Sequence, residues 1–387
     1  MLLNILLHLP QENAVSIPGV LIVSASTGTG HRRAAEAVQD AFAESVPWLP
    51  VKHVDLLSLA PRWVRTAYGD GFELLATRAP RIWGEVYRRT DAASPDLARW
   101  GPLAHRMLFR EFRKLLLSRE WGACVCTHFL PGQLAAGGAG IPPFSMVITD
   151  LTLHHFWAQP RIGRYFVASE RLAGELRARV PHAPVEATGI PVAPAFAGAP
   201  SRAAARSELG IEADRLVALV MGGGLGIGVE ETAQAAATAL VPGLQTIAIC
   251  GRNAEAAARL RRRWAGDDRV RVLGYVDTVE RYIAAADIVV TKPGGLTTSE
   301  VLAIGRPLLL TNAIPGQEEG NARVLTTSGA AVYAHSPAAV AVALRQIILD
   351  AGRLDRMTAA ARVIARPMAA NRIAEAVASD LDLTRAA

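Results

Sequence analysis

The feature that most constrains this chain is a rhythm that runs, stops and starts again. From Val20 onward, a short β-rich apolar run, a turn built on Gly or Asp/Thr, and an amphipathic stretch rich in Ala, Arg and Glu succeed one another. The apolar runs predict strands at residues 20–24, 51–57, 123–127, 144–149, 165–168 and 185–188. Residues 191–201, with Pro191, Pro194, Pro200 and several small side chains, break the pattern and read as a linker. The rhythm then resumes, with strands expected at 216–221, 246–250, 270–273, 288–291 and 308–311, each followed by a helix. Alternating β and α units predict a parallel sheet covered by helices on both faces, so the fold class is α/β with two doubly wound halves. A length of 387 residues suits two such cores. Ligands of open parallel sheets sit outside the carboxyl ends of the strands, so two facing halves would hold theirs in the cleft between them.

Composition removes several classes. With 51% hydrophobic and 20% charged residues the chain reads as globular. Its three cysteines are too few for a disulfide framework, and Cys124-x-Cys126, though on one face of a strand, lacks the matching His/Cys cluster of a metal site; core packing is the reading. Residues 1–9 are apolar but lack a basic start and meet His8 and Pro10, which argues against a signal peptide or spanning helix, so membrane contact is expected to be peripheral. A net charge of +6 and a pI near 9.6 favour anionic partners without choosing among nucleotides, lipid surfaces and nucleic acid.

Three strand-end segments carry the chemistry. Ser26-Thr27-Gly28-Thr29-Gly30-His31 follows the first strand and opens a helix expected near Arg32. Its glycines let the backbone approach a ligand, and free N–H groups at the helix start favour negative charge. His31 would face the cleft, where an imidazole can take a proton from an alcohol at neutral pH. Arg33 stands where a dinucleotide fingerprint needs its third glycine, and no phosphate-loop Gly-x4-Gly-Lys-Ser/Thr occurs, so hydride transfer and loop-based NTP hydrolysis lose their support. Residues 222–228, five of seven being glycine, again join a strand to a helix expected near Glu230, and form a nest of backbone N–H groups.

The third segment is Thr291-Lys292-Pro293-Gly294-Gly295-Leu296-Thr297-Thr298-Ser299-Glu300. It reads as a strand, a glycine turn and a Thr-capped helix: an anion seat, with Thr297 offering its hydroxyl and N–H to a phosphate and Glu300 accepting from ribose hydroxyls. At the next strand end, Ile314-Pro315-Gly316-Gln317-Glu318-Glu319-Gly320-Asn321 presents Gln317 and Glu318, whose donors and acceptors suit the hydroxyls of a sugar.

The combination Ser26-x-Gly28-x-Gly30-His31, Lys292-Pro293-Gly294-Gly295-x-Thr297-x-x-Glu300 and Pro315-Gly316-Gln317-Glu318-x-x-Asn321 resembles the monogalactosyldiacylglycerol synthase and processive diacylglycerol glucosyltransferase family. More distantly it is similar to the peptidoglycan lipid-linked N-acetylglucosaminyltransferase. The resemblance spans nearly the whole chain. It implies a glycosyltransferase B fold of two Rossmann-like domains, transfer of glucose or galactose from a UDP-sugar to diacylglycerol or a glycolipid, inversion at the anomeric carbon, and neither metal nor other cofactor. By position it implies Gly223 and Gly224 near the diphosphate, Val276 at the uracil, Thr297 at a phosphate, Glu300 at the ribose, and Gln317 and Glu318 at the sugar. It makes His31 the glycine-loop histidine and Thr149-Asp150 a pair on the acceptor side. Asp150 either orients or charge-stabilises His31, or caps the next turn. After Gly189-Ile190-Pro191-Val192 this chain has Ala193 where the resemblance implies a basic residue in many relatives, so a phosphate contact is either missing or supplied elsewhere, for example by Arg252 or Lys292.

Residues 62–114 concentrate eleven basic residues and eight of the twenty-two aromatics, among them Trp63, Tyr68, Phe72, Trp83 and Tyr87. Such a mixture suits a bilayer interface with anionic headgroups, or else plain helical packing; no recognisable nucleic-acid module surrounds it. The expected organisation is therefore an acceptor domain over 1–193, a UDP-sugar domain over 194–366, and a C-terminal helix over 367–387 crossing back to the first. The expected location is cytoplasmic, at the inner face of the cell membrane. Rival readings are a UDP-sugar epimerase, which would act on donor alone, and a non-catalytic binder of nucleotide or anionic lipid.

Overall fold

The computed structural model describes residues 18–71, 79–92, 108–118, 121–134 and 140–386. Strands β1 (Gly19–Ser24), β2 (Val51–Asp55), β3 (Trp121–Cys126), β4 (Phe144–Val147), β5 (Arg164–Phe166) and β6 (Val185–Glu186) form one six-stranded sheet in the order β2-β1-β3-β4-β5-β6. A second holds β7 (Leu216–Met221), β8 (Leu244–Ile249), β9 (Val270–Leu273), β10 (Ile288–Thr291), β11 (Leu308–Leu310) and β12 (Ala331–Tyr333) in the order β12-β11-β10-β7-β8-β9. Every pairing is parallel. Strand β12 falls outside the sequence expectation because its run Ala330-Ala331-Val332-Tyr333 is half alanine, a weak strand former.

Each sheet is buried on both faces, which is why its strands read as continuous apolar runs. In β1, Leu21 and Val23 enter one core while Val20 and Ile22 enter another. In β7, Val217 and Leu219 divide from Ala218 and Val220 in the same way. Cys124 and Cys126 are buried in the first core with their sulfurs 4.0 Å apart, a packing role.

Residues 191–201 are not a loose linker. They contain a short helix, Pro194–Ala197, and Ile190, Val192 and Phe196 are buried in the core of the second sheet, so apolar anchoring overrides the proline-rich composition. The final helix, Ala369–Ala386, lays Ala370, Ile373, Ala374, Val377, Ala378 and Leu381 against Ala35, Val38 and Phe42 of the Thr29–Ser45 helix, beside the first sheet. That spacing is one helical face. No described helix is long and apolar enough to cross a membrane.

Beneath the second sheet, Asp287 accepts from Arg206 at 2.8 Å, from Arg202 at 2.7 Å and from the Val217 amide at 2.8 Å. Arg206 and Asp287 are both nearly buried, so Asp287→Ala strands a guanidinium and an amide. The expected loss is about 3–5 kcal/mol of unfolding free energy, measured by denaturant titration.

Candidate active site

Both sheets change direction at the strands that carry the glycine loops. In the first, the chain runs from β1 to β2 on one side and then to β3 on the other; in the second, β7 lies between β8 and β10. Loops at such switch points splay apart and leave a crevice. Here the two crevices face each other and merge into one cleft of about 390 Å³. The cleft is lined by Gly28, Thr29, Gly30, His31 and Asp150 from the first half. The second half contributes Gly223, Gly224, Val276, Gly294, Gly295, Thr297, Glu300, Gln317 and Glu318. All residues expected at the donor and at the reacting centre therefore meet.

The helix after the first glycine loop begins at Thr29 rather than Arg32, with Gly28 at φ 126° as its cap. Its first N–H groups thus point into the cleft. Across the gap, a Cβ placed on Gly224 would lie 3.1 Å from the Thr29 side chain, so the two glycine loops nearly touch. Gly226, at φ 64°, brings the second loop so close to the following strand that a Cβ would fall 2.2 Å from the Cys250 carbonyl oxygen. The helix that follows this loop starts at Val229. The third segment also differs in detail from the expectation: its helix is Gly295–Ala303 with Gly294 as cap, so Thr297 sits within the first turn and is not the cap. The side chain of Thr298, not Thr297, is taken up by the Gly294 carbonyl, at 2.9 Å. Thr297 is left facing the cleft.

His31 is held by the end of β3. Its Nδ1 lies 2.8 Å from the Thr127 carbonyl and 3.0 Å from the Thr149 hydroxyl, while the Thr127 hydroxyl donates to the His31 carbonyl at 2.8 Å. A carbonyl can only accept, so Nδ1 carries the proton and Nε2 keeps its lone pair. Burial pushes this imidazole below its ordinary value, and the negative charge of Asp150 opposes that push. Of the three expectations for Asp150, charge stabilisation of His31 fits; orientation of the ring belongs to Thr127 and Thr149, and the Asp150 carboxylate is taken by the Gln317 amide rather than by the turn that follows. Asp150 itself is buried, which raises its carboxyl, and it accepts a hydrogen bond from the Gln317 amide of the other half.

Gln317 and Glu318 line the cleft already engaged. Glu318 pairs with Lys292 and accepts from the Ile314 amide at 2.8 Å. Glu300 is buried, pushed up to about 7 by desolvation, and bonded to Arg33 of the first half at 3.1 Å. Ala193 caps the short Pro194–Ala197 helix and packs against the second core, and Arg252 lies 5.8 Å over the Tyr275 ring.

Several supporting residues were not legible. Asp55, ending β2, accepts from the Ser26 amide at 3.1 Å and from the Ser26 hydroxyl, pinning the first loop. Asn321, fully buried, accepts from Leu151 N–H at 2.9 Å and donates to the Pro293 carbonyl at 3.1 Å, tying an acceptor-side turn to a donor-side one. Its place in the third motif was the only sequence signal.

The aromatic expectation divides. Trp63 is 64% exposed. Tyr68, by contrast, packs against the first core, and Tyr87 stacks 4.3 Å from His154 and covers Gly316, whose Cβ would fall 2.5 Å from the Tyr87 ring. Both therefore face protein rather than an interface. For Tyr87 the reason is the close seat of the Pro80–Ala92 helix on the second half, where Gly84 leaves room for Pro315. Trp83, on the same helix, is half-buried, and Phe72 lies outside the described residues.

Two facing doubly wound sheets with glycine loops at both switch points, meeting in a single cleft, define a glycosyltransferase B fold. Solved structures share it: MurG of Acinetobacter baumannii (TM-score 0.57, 15% identity, 93% of this chain and 99% of that one) and the S. aureus MnaA–UDP co-structure (0.64, 13%, 94% and 97%). The family description monogalactosyldiacylglycerol (MGDG) synthase matches residues 31–192, and the glycosyltransferase family 28 C-terminal domain matches residues 217–375. The chain is 30% identical to a probable chloroplastic monogalactosyldiacylglycerol synthase of Glycine max, over 92% of itself and 70% of that protein. It is 27% identical to a processive diacylglycerol beta-glucosyltransferase of Bacillus cereus, over 94% of each. Against the chloroplastic monogalactosyldiacylglycerol synthase of Spinacia oleracea the identity is 31%, over 84% of this chain and 65% of that protein, so the chain spans just under two thirds of that relative's length. The chain belongs to the monogalactosyldiacylglycerol synthase family of glycosyltransferases.

Proposed function

We propose that this protein transfers glucose or galactose from a UDP-sugar to diacylglycerol or a glycolipid, with inversion, giving a β-glycolipid. The observation that carries the reading is the convergence of His31, the two glycine loops and the Thr297–Glu300 turn in one cleft between the halves. UDP lies along the second half, with the uracil at Val276, the ribose at Glu300 and the diphosphate between the Gly223–Gly224 loop and Thr297. The N–H groups of the helices starting at Thr29 and Gly295 stabilise the charge that grows on the leaving diphosphate. Nε2 of His31 accepts the proton of the acceptor hydroxyl, whose oxygen attacks the anomeric carbon opposite the departing UDP. Gln317 and Glu318 reach the sugar from positions fixed by Asp150 and Lys292.

Residues 1–193 then serve the acceptor, 194–366 the donor, and 367–387 close the chain back on the first half. Docking at the inner face of the cell membrane rests on exposed Trp63, Ile82 and Val86 set among Arg62, Arg65 and Arg81, a mixture suited to an anionic headgroup layer.

Incubating the protein with UDP-glucose or UDP-galactose and diacylglycerol vesicles, in EDTA, is expected to yield a β-linked glycolipid identified by mass and anomeric configuration. Turnover of UDP-sugar with no lipid present would favour an epimerase instead, and absence of UDP-sugar binding would overturn the assignment.

A further inference from the structure

Among the described residues lining the cleft, the Lys and Arg side chains are Arg32, Arg33 and Lys292, and each faces a carboxylate. Arg32 meets Glu36 at 3.4 Å in an exposed pair on its own helix. Lys292 meets Glu318, which is 7% exposed and also fixed by the Ile314 amide. Arg33 meets Glu300 across the cleft at 3.1 Å, the arginine 41% exposed and the glutamate 4%. The carboxylate occupied by Arg33 is thus the one that the donor reading gives to the ribose. A nucleotide that takes Glu300 must displace Arg33.

The geometry says where the displaced guanidinium goes. Arg33 lies one helical turn beyond Thr29, on the same face of the Thr29–Ser45 helix. Long helical side chains lean toward the helix start. Thr29 stands against Gly224 of the diphosphate loop, so a guanidinium released from Glu300 and swung back one turn arrives beside that loop.

We propose that Arg33 is a two-position residue of the donor site, paired with Glu300 until a nucleotide binds and transferred to the nucleotide's diphosphate when the ribose takes Glu300. The inference rests on the UDP-sugar reading of the cleft. In it, Arg33 opposes the nucleoside part of the ligand and rewards the diphosphate part, which makes the site selective for nucleoside diphosphates over nucleosides. A bidentate guanidinium fits two adjacent phosphates better than a point charge.

The test is isothermal titration of wild type, Arg33→Gln and Arg33→Lys with uridine and with UDP, well above the Glu300 value of about 7 so that this carboxylate stays ionised. Arg33→Gln is expected to tighten uridine by about two- to fivefold, since a half-exposed ion pair no longer competes. The same variant is expected to weaken UDP by about tenfold or more, since a charge-assisted contact is lost. Arg33→Lys should recover part of the UDP affinity. A side chain that only supports the fold would shift both ligands in one direction, and that result, or no shift in either, overturns the inference while leaving the donor reading intact. Wild-type protein that binds neither uridine nor UDP overturns both.

Discussion

Replacing His31 with alanine is expected to lower kcat by about 10²–10⁴-fold, the usual contribution of a positioned general base. Affinity for UDP should change little, because the His31 ring, held by Thr127 and Thr149, is assigned to the acceptor hydroxyl rather than to the nucleotide. The argument is one of tautomer and charge. With Nδ1 given to the Thr127 carbonyl at 2.8 Å, the remaining nitrogen is an acceptor, and burial favours the neutral ring. A base works only unprotonated, so turnover fails as pH falls through the imidazole's own value in the folded protein. Because that value is lowered, the acid limb of kcat should fall below the ordinary 6.5, and it should vanish in the alanine variant. The pH–rate profile of both proteins checks this. Full turnover by His31→Ala would remove the base from this residue.

The second large effect concerns how the halves meet. A Cβ on Gly295 would lie 2.0 Å from the Thr149 carbonyl oxygen, and this backbone has nowhere to retreat without moving one half from the other. Gly295→Ala is therefore expected to open the cleft by about an ångström and to lower kcat/KM by about 10²-fold, the cost of misplacing reacting groups by that much. Thr149 is next to Asp150, and its hydroxyl touches the His31 ring, so the acceptor and donor sides separate at the reacting centre. Melting temperature should fall far less than activity, since both cores stay intact. Steady-state kinetics beside calorimetry separates the two. A variant with wild-type kcat/KM would show that contact at Gly295 does not set the geometry of the reaction.

Much of this protein was legible before any coordinates. The β/turn/helix rhythm and its restart predicted two parallel sheets, because burial on both faces forces strands to be apolar throughout and spaces them by helices. Strands β7, β9 and β10 fall at the expected residues, and the three strand-end motifs all line one cleft. Strand β12 escaped because its alanine-rich run carries little strand propensity. Residues 191–201 fall between β6 and β7 as the rhythm implied, but Phe196 is anchored in the second core, and composition cannot say whether one aromatic finds a core.

What the sequence by itself determined is the inventory: which strand ends carry glycine, which residue can take a proton, and which can seat an anion. These follow from backbone freedom and side-chain chemistry, both local properties. Only the tertiary structure decided the pairing of Arg33 with Glu300, of Gln317 with Asp150, and of His31 with Thr127 rather than Asp150. Each joins residues about a hundred or more positions apart. Side-chain chemistry allows many such partners, and only the packing of the two halves selects among them.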